Sequence, residues 1–385
     1  MRRLAPALLL LGATAGVVGC GSSGRVGDQI PGTTLTIYSS GPLHGSSSIS
    51  AQSVLLGETL ALSRVHGRIG RYRIVLRSLD DSTPQRGEWD PGQTTLDARE
   101  ALADRTTIGY LGDYNSGASA ISIPILNRDG IPQISPASTA VGLTSAANGA
   151  SPGEPQKYYP TGQRTFARVV PSDAVQALAQ VDLQRSRGCR RTYVVADGGV
   201  DGEDTADSFA IAAQAAGLQV VAVTQFAPDA SDYSALATTV ASSGADCVLI
   251  SAIGETSAAL LTRQIAAALP SAELFASAGV ADALFTARLP VALDSRLWIT
   301  APPRPYMAYG YEAMSLLLSA IAQATDRGTR PARRSKVLSA VFHTRDRHST
   351  IGTYSIDRDG DTNLITYGVD RVVRGRLGLW KIVEG

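Results

Sequence analysis

The sequence predicts an α/β protein built as two doubly wound parallel-sheet lobes, and three observations carry that prediction. From residue 33 onward, β-rich apolar runs alternate with amphipathic helical runs, the signature of a parallel sheet covered on both faces. The alternation occurs twice, interrupted at residues 148–162 by a stretch rich in Gly, Pro and polar residues. The length of 385 residues, 44% of them hydrophobic, is too great for one ordinary core and suits two.

The elements follow in order. Leu35-Thr36-Ile37-Tyr38 reads as a strand. Residues 50–65 read as a helix, with Val54, Leu55, Leu60, Ala61 and Leu62 recurring at helical spacing. Strands at 72–76, 108–111 and 131–135 alternate with helices at 95–104 and 116–126. In the second series, strands at 192–196, 219–226, 247–251 and 274–277 alternate with helices at 205–216, 234–242 and 255–268. The tail departs from this rhythm. A long helix at 306–325, with Leu316, Leu317, Leu318 and Ile321 on its apolar face, precedes a shorter one at 333–342 and strands at 352–356, 364–369 and 379–383. Asp357-Arg358-Asp359-Gly360-Asp361 begins like a calcium loop, but Thr362 stands where the loop glycine belongs and Gly368 where the closing acid belongs. It reads as a hairpin turn.

The formal net charge of +1 argues against a nucleic-acid binder, which shows a basic patch or stripe. At the N-terminus, Arg2 and Arg3 precede an apolar run over residues 4–18. That run is the length of a signal-peptide core and too short to span a bilayer. Val17-Val18-Gly19-Cys20 matches the lipobox of bacterial lipoproteins. The match implies cleavage before Cys20 and acylation there, which would anchor the chain to a membrane surface. An ordinary signal peptide with a chance cysteine is the other reading. Residues 20–32 contain a Gly- and Ser-rich tether. Cys189 and Cys247 each enter a predicted strand, and the two strands would be neighbours in a doubly wound sheet. In an oxidising compartment they form either a disulfide or two buried thiols.

Signatures of catalysis are absent. The Gly-x-Ser-x-Gly pattern occurs only at Gly149-Ala150-Ser151-Pro152-Gly153, inside the Gly- and Pro-rich interruption with no strand before it, and there is no phosphate-binding Gly-x-x-x-x-Gly-Lys-Ser/Thr loop. The one Gly-x-Gly-x-x-Gly match, residues 19–24, lies on the lipobox with no strand before it. His44, His66, His343 and His348 lack metal spacing and read as solvated loop residues. No cofactor and no metal is expected. What stands out is a set of polar loops after strands, where doubly wound sheets bind ligands. These are residues 38–48, the run Gly112-Asp113-Tyr114-Asn115-Ser116-Gly117-Ala118-Ser119, and Ser135-Pro136-Ala137-Ser138-Thr139. The second opens a helix, and its free N–H groups with the Ser116 hydroxyl make a cradle for a carboxylate. Read singly, Ser116 is better taken as a helix cap; three such loops at one sheet edge point instead to a site.

Six blocks resemble the type I periplasmic binding proteins, specifically the branched-chain amino-acid-binding group. They are Gly41-Pro42-Leu43-x-Gly45, Gly112-x-x-x-Ser116-Gly117-Ala118, Gly130-Ile131-Pro132-x-Ile134-Ser135-Pro136-Ala137-Ser138-Thr139, Arg168-Val169-Val170-Pro171-Ser172-Asp173, Tyr233-Ser234-Ala235-Leu236 and Tyr309-Gly310-Tyr311-Glu312-Ala313. The resemblance implies two lobes closing on a ligand like a flytrap, with crossovers near Pro171, Pro302 and Ile365. The expected division is a signal peptide at 1–19, a tether at 20–32, a first lobe of 33–170 plus 303–365, and a second of 171–302 plus 366–385. It implies ligand contacts at Asn115, Ser116, Ala137, Ser138 and Thr139, the carboxylate being held by the Ser and Thr loops.

The second lobe departs from the family pattern. Asp201 stands where amino-acid binders present a tyrosine, and Ala278 where they present an acid for the ligand ammonium. Asp201 either takes over the ammonium or caps the helix predicted from Thr205. A helical segment usual in relatives between Pro305 and Tyr306 is also missing. The expected role is the binding component of an ATP-driven importer, partnered by a permease and an ATPase. Its expected ligand is an amino acid or similar small carboxylate. A ligand-sensing module of the same fold is the alternative, and an enzyme using Ser116 finds no base nearby.

Overall fold

The computed structural model of the protein describes residues 27–147 and 149–385; the leader and Cys20 lie outside them. The first series runs β1 (Thr34–Gly41), α1 (Ser48–Arg64), β2 (Arg68–Ile69), β3 (Tyr72–Asp80), the small hairpin β4 (Ser82–Thr83) and β5 (Glu88–Trp89), α2 (Pro91–Ala103), β6 (Thr107–Leu111), α3 (Ser116–Asn127), β7 (Gln133–Ser135) and β8 (Phe166–Arg168). The first sheet has the order β2-β3-β1-β6-β7-β8 and is parallel except at β2. β1 is central and buried on both faces over most of its length, as strands of a covered parallel sheet are.

The second series continues α4 (Asp173–Ser186), β9 (Arg191–Ala196), α5 (Val200–Ala215), β10 (Gln219–Gln225), α6 (Ser234–Ser242), β11 (Cys247–Ser251), α7 (Glu255–Ala268), β12 (Glu273–Ala276), α8 (Ala283–Thr286) and β13 (Leu297–Ala301). The tail adds α9 (Tyr306–Ala324), α10 (Arg334–Phe342), the hairpin β14 (Arg347–Ser349) and β15 (Gly352–Tyr354), then β16 (Thr366–Val373) and β17 (Arg376–Glu384). The second sheet has the order β10-β9-β11-β12-β13-β16-β17. β16 and β17 join it antiparallel, so the doubly wound sheet carries an antiparallel edge. Period-two alternation divides its residues between two cores. Tyr193, Val195, Val248, Ile250 and Leu274 pack on one face, and Val194, Leu249, Phe275 and Trp298 on the other.

The chain passes between the sheets three times, after Arg168, after Ala301 and before Thr366. α9 and α10 return to the first sheet, where Tyr309, Leu317 and Val337 share a core with Ile37 and Ile108. No helical segment precedes α9, which starts directly after Pro305. α9 instead lies tightly against α1. A Cβ on Gly57 would stand 2.0 Å from the Met307 carbonyl oxygen, and one on Gly310 2.1 Å from that of Val54. Only glycines permit this approach.

One expectation changes. The tether was expected to reach residue 32, but Ile30 is buried and its N–H donates to the Ala332 carbonyl. Asp28 accepts from the Ser335 N–H at 2.8 Å in the first turn of α10, the end where a helix favours an anion. The turn at 357–361 is closed by Asp357, whose Oδ1 accepts three backbone N–H groups. It docks on the first lobe, where Asp361 meets the fully buried Arg168 at 2.6 Å.

Candidate ligand-binding cleft

The strands of both sheets end in polar residues on the side where the lobes face each other. In the first lobe, β6 gives way to a loop that delivers Asn115 to the N-cap position of α3. No side chain caps that helix, so its first N–H groups need acceptors from outside the helix. The Ser116 hydroxyl is turned elsewhere. Its Oγ accepts from the N–H groups of Thr139 at 3.1 Å and Ala140 at 3.2 Å, tying the loop after β7 to the start of α3.

The acceptor arrives from the opposite lobe. Asp201 is the second residue of α5. Its Oδ1 accepts from the Ser116 N–H at 2.8 Å and its Oδ2 from the Gly117 N–H at 3.3 Å. α5 begins five residues before the expected Thr205, with Gly199 as its N-cap, so Asp201 is not a cap for its own helix. The cradle expected to hold a ligand carboxylate is filled by a carboxylate of the protein itself. Burial raises the Asp201 carboxyl above its ordinary range, against the lowering effect of these two N–H groups.

The same pairing recurs along the cleft. Glu255, at the start of α7, accepts from the Ser47 N–H at 2.6 Å. Asp204 accepts from the Val141 N–H at 2.9 Å, and Asp282 from the Ser50 hydroxyl at 3.3 Å. In each contact the second lobe brings the carboxylate and the first lobe the donor. The lobes are closed on each other by charge-assisted hydrogen bonds.

Between these contacts lies a cavity of about 30 Å³, room for water-sized occupants. Tyr114, Asn115, Ala137 and Thr139 line it from the first lobe side, and Asp173, Gln176 and Asp201 from the other. Tyr306 closes it, its ring 5.2 Å from that of Tyr114. Asp173 is fully buried, and neither of its carboxylate oxygens has a hydrogen bond of good geometry. Asp204 and the Thr139 side chain lie beside it. Burial pushes the carboxyls of Asp173 and Asp204 upward, the Asp173 charge adds to the rise at Asp204, and the two side chains are hydrogen-bonded to each other. Neighbouring buried acids of this kind hold a proton between them. The Gln176 amide is oriented by its Nε2, which donates to Thr300 Oγ1 at 2.8 Å, leaving its Oε1 without a donor.

Of the residues singled out from sequence, Asn115, Ala137, Thr139 and Asp201 line the cavity, and Ser116 holds its frame. Ser138 does not reach it. Its hydroxyl donates to the Asp113 carbonyl at 2.9 Å within a buried network, because alternate loop residues face opposite ways. Ala278 lines the wall as well. Sequence reading missed Asp173, Gln176, Tyr114 and Tyr306. Asp173 sat inside a recognised block, at the first residue after a crossover, without an assigned role. Cys189 and Cys247 are joined as a disulfide, with Cα atoms 5.8 Å apart. They form, with Asp246, the one His/Cys/Asp/Glu group with metal-like spacing among the described residues, and the disulfide occupies their sulfurs.

Residues 34–295, more than half of the chain, match the family model described as periplasmic binding protein. Solved structures agree in fold. A leucine-binding protein from Thermotoga maritima superposes with a TM-score of 0.78 at 20% identity, over 91% of this chain and 99% of that one. A branched-chain amino-acid transporter substrate-binding protein from Streptococcus pneumoniae, in complex with isoleucine, gives 0.73 at 16%, over 92% and 100%. A transporter solute-binding protein from Rhodopseudomonas palustris, in complex with p-hydroxybenzoic acid, gives 0.72 at 14%, over 91% and 97%. At these identities the likeness is one of fold. Among the described residues, no helix is long and apolar enough to cross a membrane.

Proposed function

The chain belongs to the periplasmic binding protein family, with the two-lobed type I fold, and from that membership we propose that it is the extracytoplasmic solute-binding component of an ATP-driven importer. In this reading Cys20 carries the lipid anchor. The ligand is a small charged solute, an amino acid or a close chemical relative, taken into the interlobe cleft without being chemically altered. A permease and an ATPase receive it.

The observation that carries the reading is the meeting of both lobes' strand-end loops on one cavity. That cavity is bordered by polar contacts rather than by a continuous core. Polar contacts of this kind separate at modest cost when the three crossovers flex, as hinge closure requires. Asn115, Ala137, Thr139 and Asp201 would meet the ligand, and Ser116 would position the loop that carries Thr139.

Thermal melting against amino acids, their decarboxylated amines and small carboxylates tests this. A ligand at about 1,000 times its Kd stabilises by about 4 kcal/mol and raises Tm by several degrees. One compound class should do so. A cooperative melt that no compound moves, at saturating concentrations, overturns the proposal.

A further inference from the structure

We infer that the ligand of this cleft is an organic cation, a primary amine or amidinium without a carboxylate of its own. This rests on the cleft being the ligand site, as proposed above, and narrows the chemistry it accepts.

Consider what the cavity offers a guest. A zwitterionic amino acid needs donors for its carboxylate. The uncapped start of α3 is the ready set, and the second lobe has already filled it. Asp201 accepts from both Ser116 and Gly117. The Ser116 hydroxyl, the other expected carboxylate donor, accepts from Thr139 and Ala140 through its oxygen and meets Asp201 with its O–H. No Lys, Arg or His lines the cavity among the described residues. Arg168 stands in electrostatic reach of Asp173, but its nitrogens are engaged by Asp361, the carbonyls of Ser138 and Ala140, and the Thr144 hydroxyl.

The unsatisfied groups are all of one kind. The Oδ1 of Asn115 and the Oε1 of Gln176 are buried, line the cavity and lack hydrogen-bond partners, and beside them the buried Asp173 carboxyl is met only by the side chains of Thr139 and Asp204. Asp173 and Gln176 are 0% and 1% exposed. Each of these atoms accepts and does not donate. Buried acceptors left without donors are rare in folded proteins and mark where something else must donate. Asp173 and Asp201 also make the lining acidic, with no basic side chain on it among the described residues. An ammonium or amidinium group supplies both, several N–H donors and a charge. The rings of Tyr114 and Tyr306 stand beside these acceptors, and aromatic faces attract cations. The acid absent at Ala278 is thereby replaced from a different element, by Asp173 of α4. Asp201 contributes the carboxylate that an amino-acid ligand would otherwise bring.

The test is calorimetric titration of the full chain with matched pairs that differ by one carboxylate. These are agmatine against arginine, isopentylamine against leucine, and phenethylamine against phenylalanine. At least one amine should bind ten times or more tightly than its parent amino acid. Asp173→Asn should weaken that amine tenfold or more, and Asn115→Ala should weaken it several-fold should the first variant fold poorly. Asp201→Ala frees the start of α3 and should shrink or reverse the preference for the amine. An amino acid that binds more tightly than its amine overturns this inference and leaves the proposed function standing. An amine preference untouched by both Asp173→Asn and Asn115→Ala overturns the assignment of the acceptors. Silence from all three pairs overturns the inference; the proposed function falls with it only if the wider melting panel is silent too.

Discussion

The Asp201 carboxylate stands 2.8 Å from the backbone nitrogen of Ser116, so an acid from one lobe caps the first helix of the other lobe's binding loop. The contact both closes the cleft and consumes its best anion site. A hydrogen bond to a charged group contributes about 1.5–3 kcal/mol, and here it exists only when the lobes are together. Asp201→Ala should therefore lower the closed-to-open ratio by roughly ten- to a hundredfold. Fluorescence energy transfer between a dye on each lobe reads that ratio. Asp201→Asn keeps an acceptor oxygen and should open the cleft less. Distributions identical to the parent for both variants would show that closure does not depend on this contact.

Glu58 gives a pH prediction. It faces inward from α1, is fully buried, and neither carboxylate oxygen has a hydrogen bond of good geometry. Burial pushes its pKa up to about 8, with Ser39 opposing. The folded-state value lies above the ordinary 4.5, so the folded chain holds the proton more tightly than the unfolded one. The associated stability is complete below about 4.5 and declines as pH rises, until it is lost above about 8. Glu58→Gln keeps the shape without the charge and should flatten that part of the decline. Tm measured from pH 5 to 9 on both proteins gives the difference. Parallel curves would mean that Glu58 does not titrate in this window.

The sequence carried the fold through its alternation and lost it where polar residues face inward. Helices at α6 and α7 and the strand β11 end where their periodicity ends. α4 was invisible because its buried face carries Gln176, Gln180 and Gln184, a polar row at helical spacing. Gln176 and Gln180 donate to Thr300, and Thr192 donates to Gln184, contacts that only the folded neighbours reveal. β13 is a five-residue apolar run, too short for periodicity to separate strand from buried helix. The same logic explains the site. The family resemblance pointed to Asn115, Ala137 and Thr139, but which oxygens remain unpaired depends on how the lobes meet. Asp173 could be placed in a recognised block and still not be given its role.

Gly57 and Gly310 make α1 and α9 one unit, and each should be intolerant of a methyl group. The added Cβ would press on backbone, the Met307 and Val54 carbonyls at 2.0 and 2.1 Å, which cannot step aside as a side chain can. Gly57→Ala and Gly310→Ala should each cost about 3 kcal/mol or more, at or beyond the upper end of overpacking. Both force the same two helices apart, so the double variant should cost less than the sum. Leu56→Ala, one residue away but 59% exposed, serves as the control. Urea unfolding measures all four. A Gly57→Ala midpoint equal to that of Leu56→Ala would contradict the close approach.

The Cys189–Cys247 disulfide should govern stability and leave binding alone, because of where it sits. Cys247 opens β11 and Cys189 lies just before β9, adjacent parallel strands in the second sheet. The bond is therefore at the amino ends of these strands, and the cleft is at their carboxyl ends. The partners are 58 residues apart, and closing a loop of that length in the unfolded chain contributes about 4 kcal/mol in the chain-entropy model. Reduction should lower Tm by on the order of 10 °C if the second lobe melts as its own unit. The Cys189→Ala/Cys247→Ala variant should melt at the reduced value and show no further response to reductant. Its affinity for whichever ligand the panel identifies should stay within about twofold of the parent's, since α5, which carries Asp201, is held by packing on its neighbours in the second lobe as well as by the bond. A reduced chain that melts with the oxidised one would mean the unfolded state is already restricted near these residues. A variant that loses its ligand would mean the bond sets the position of α5, and with it the reach of Asp201 across the cleft.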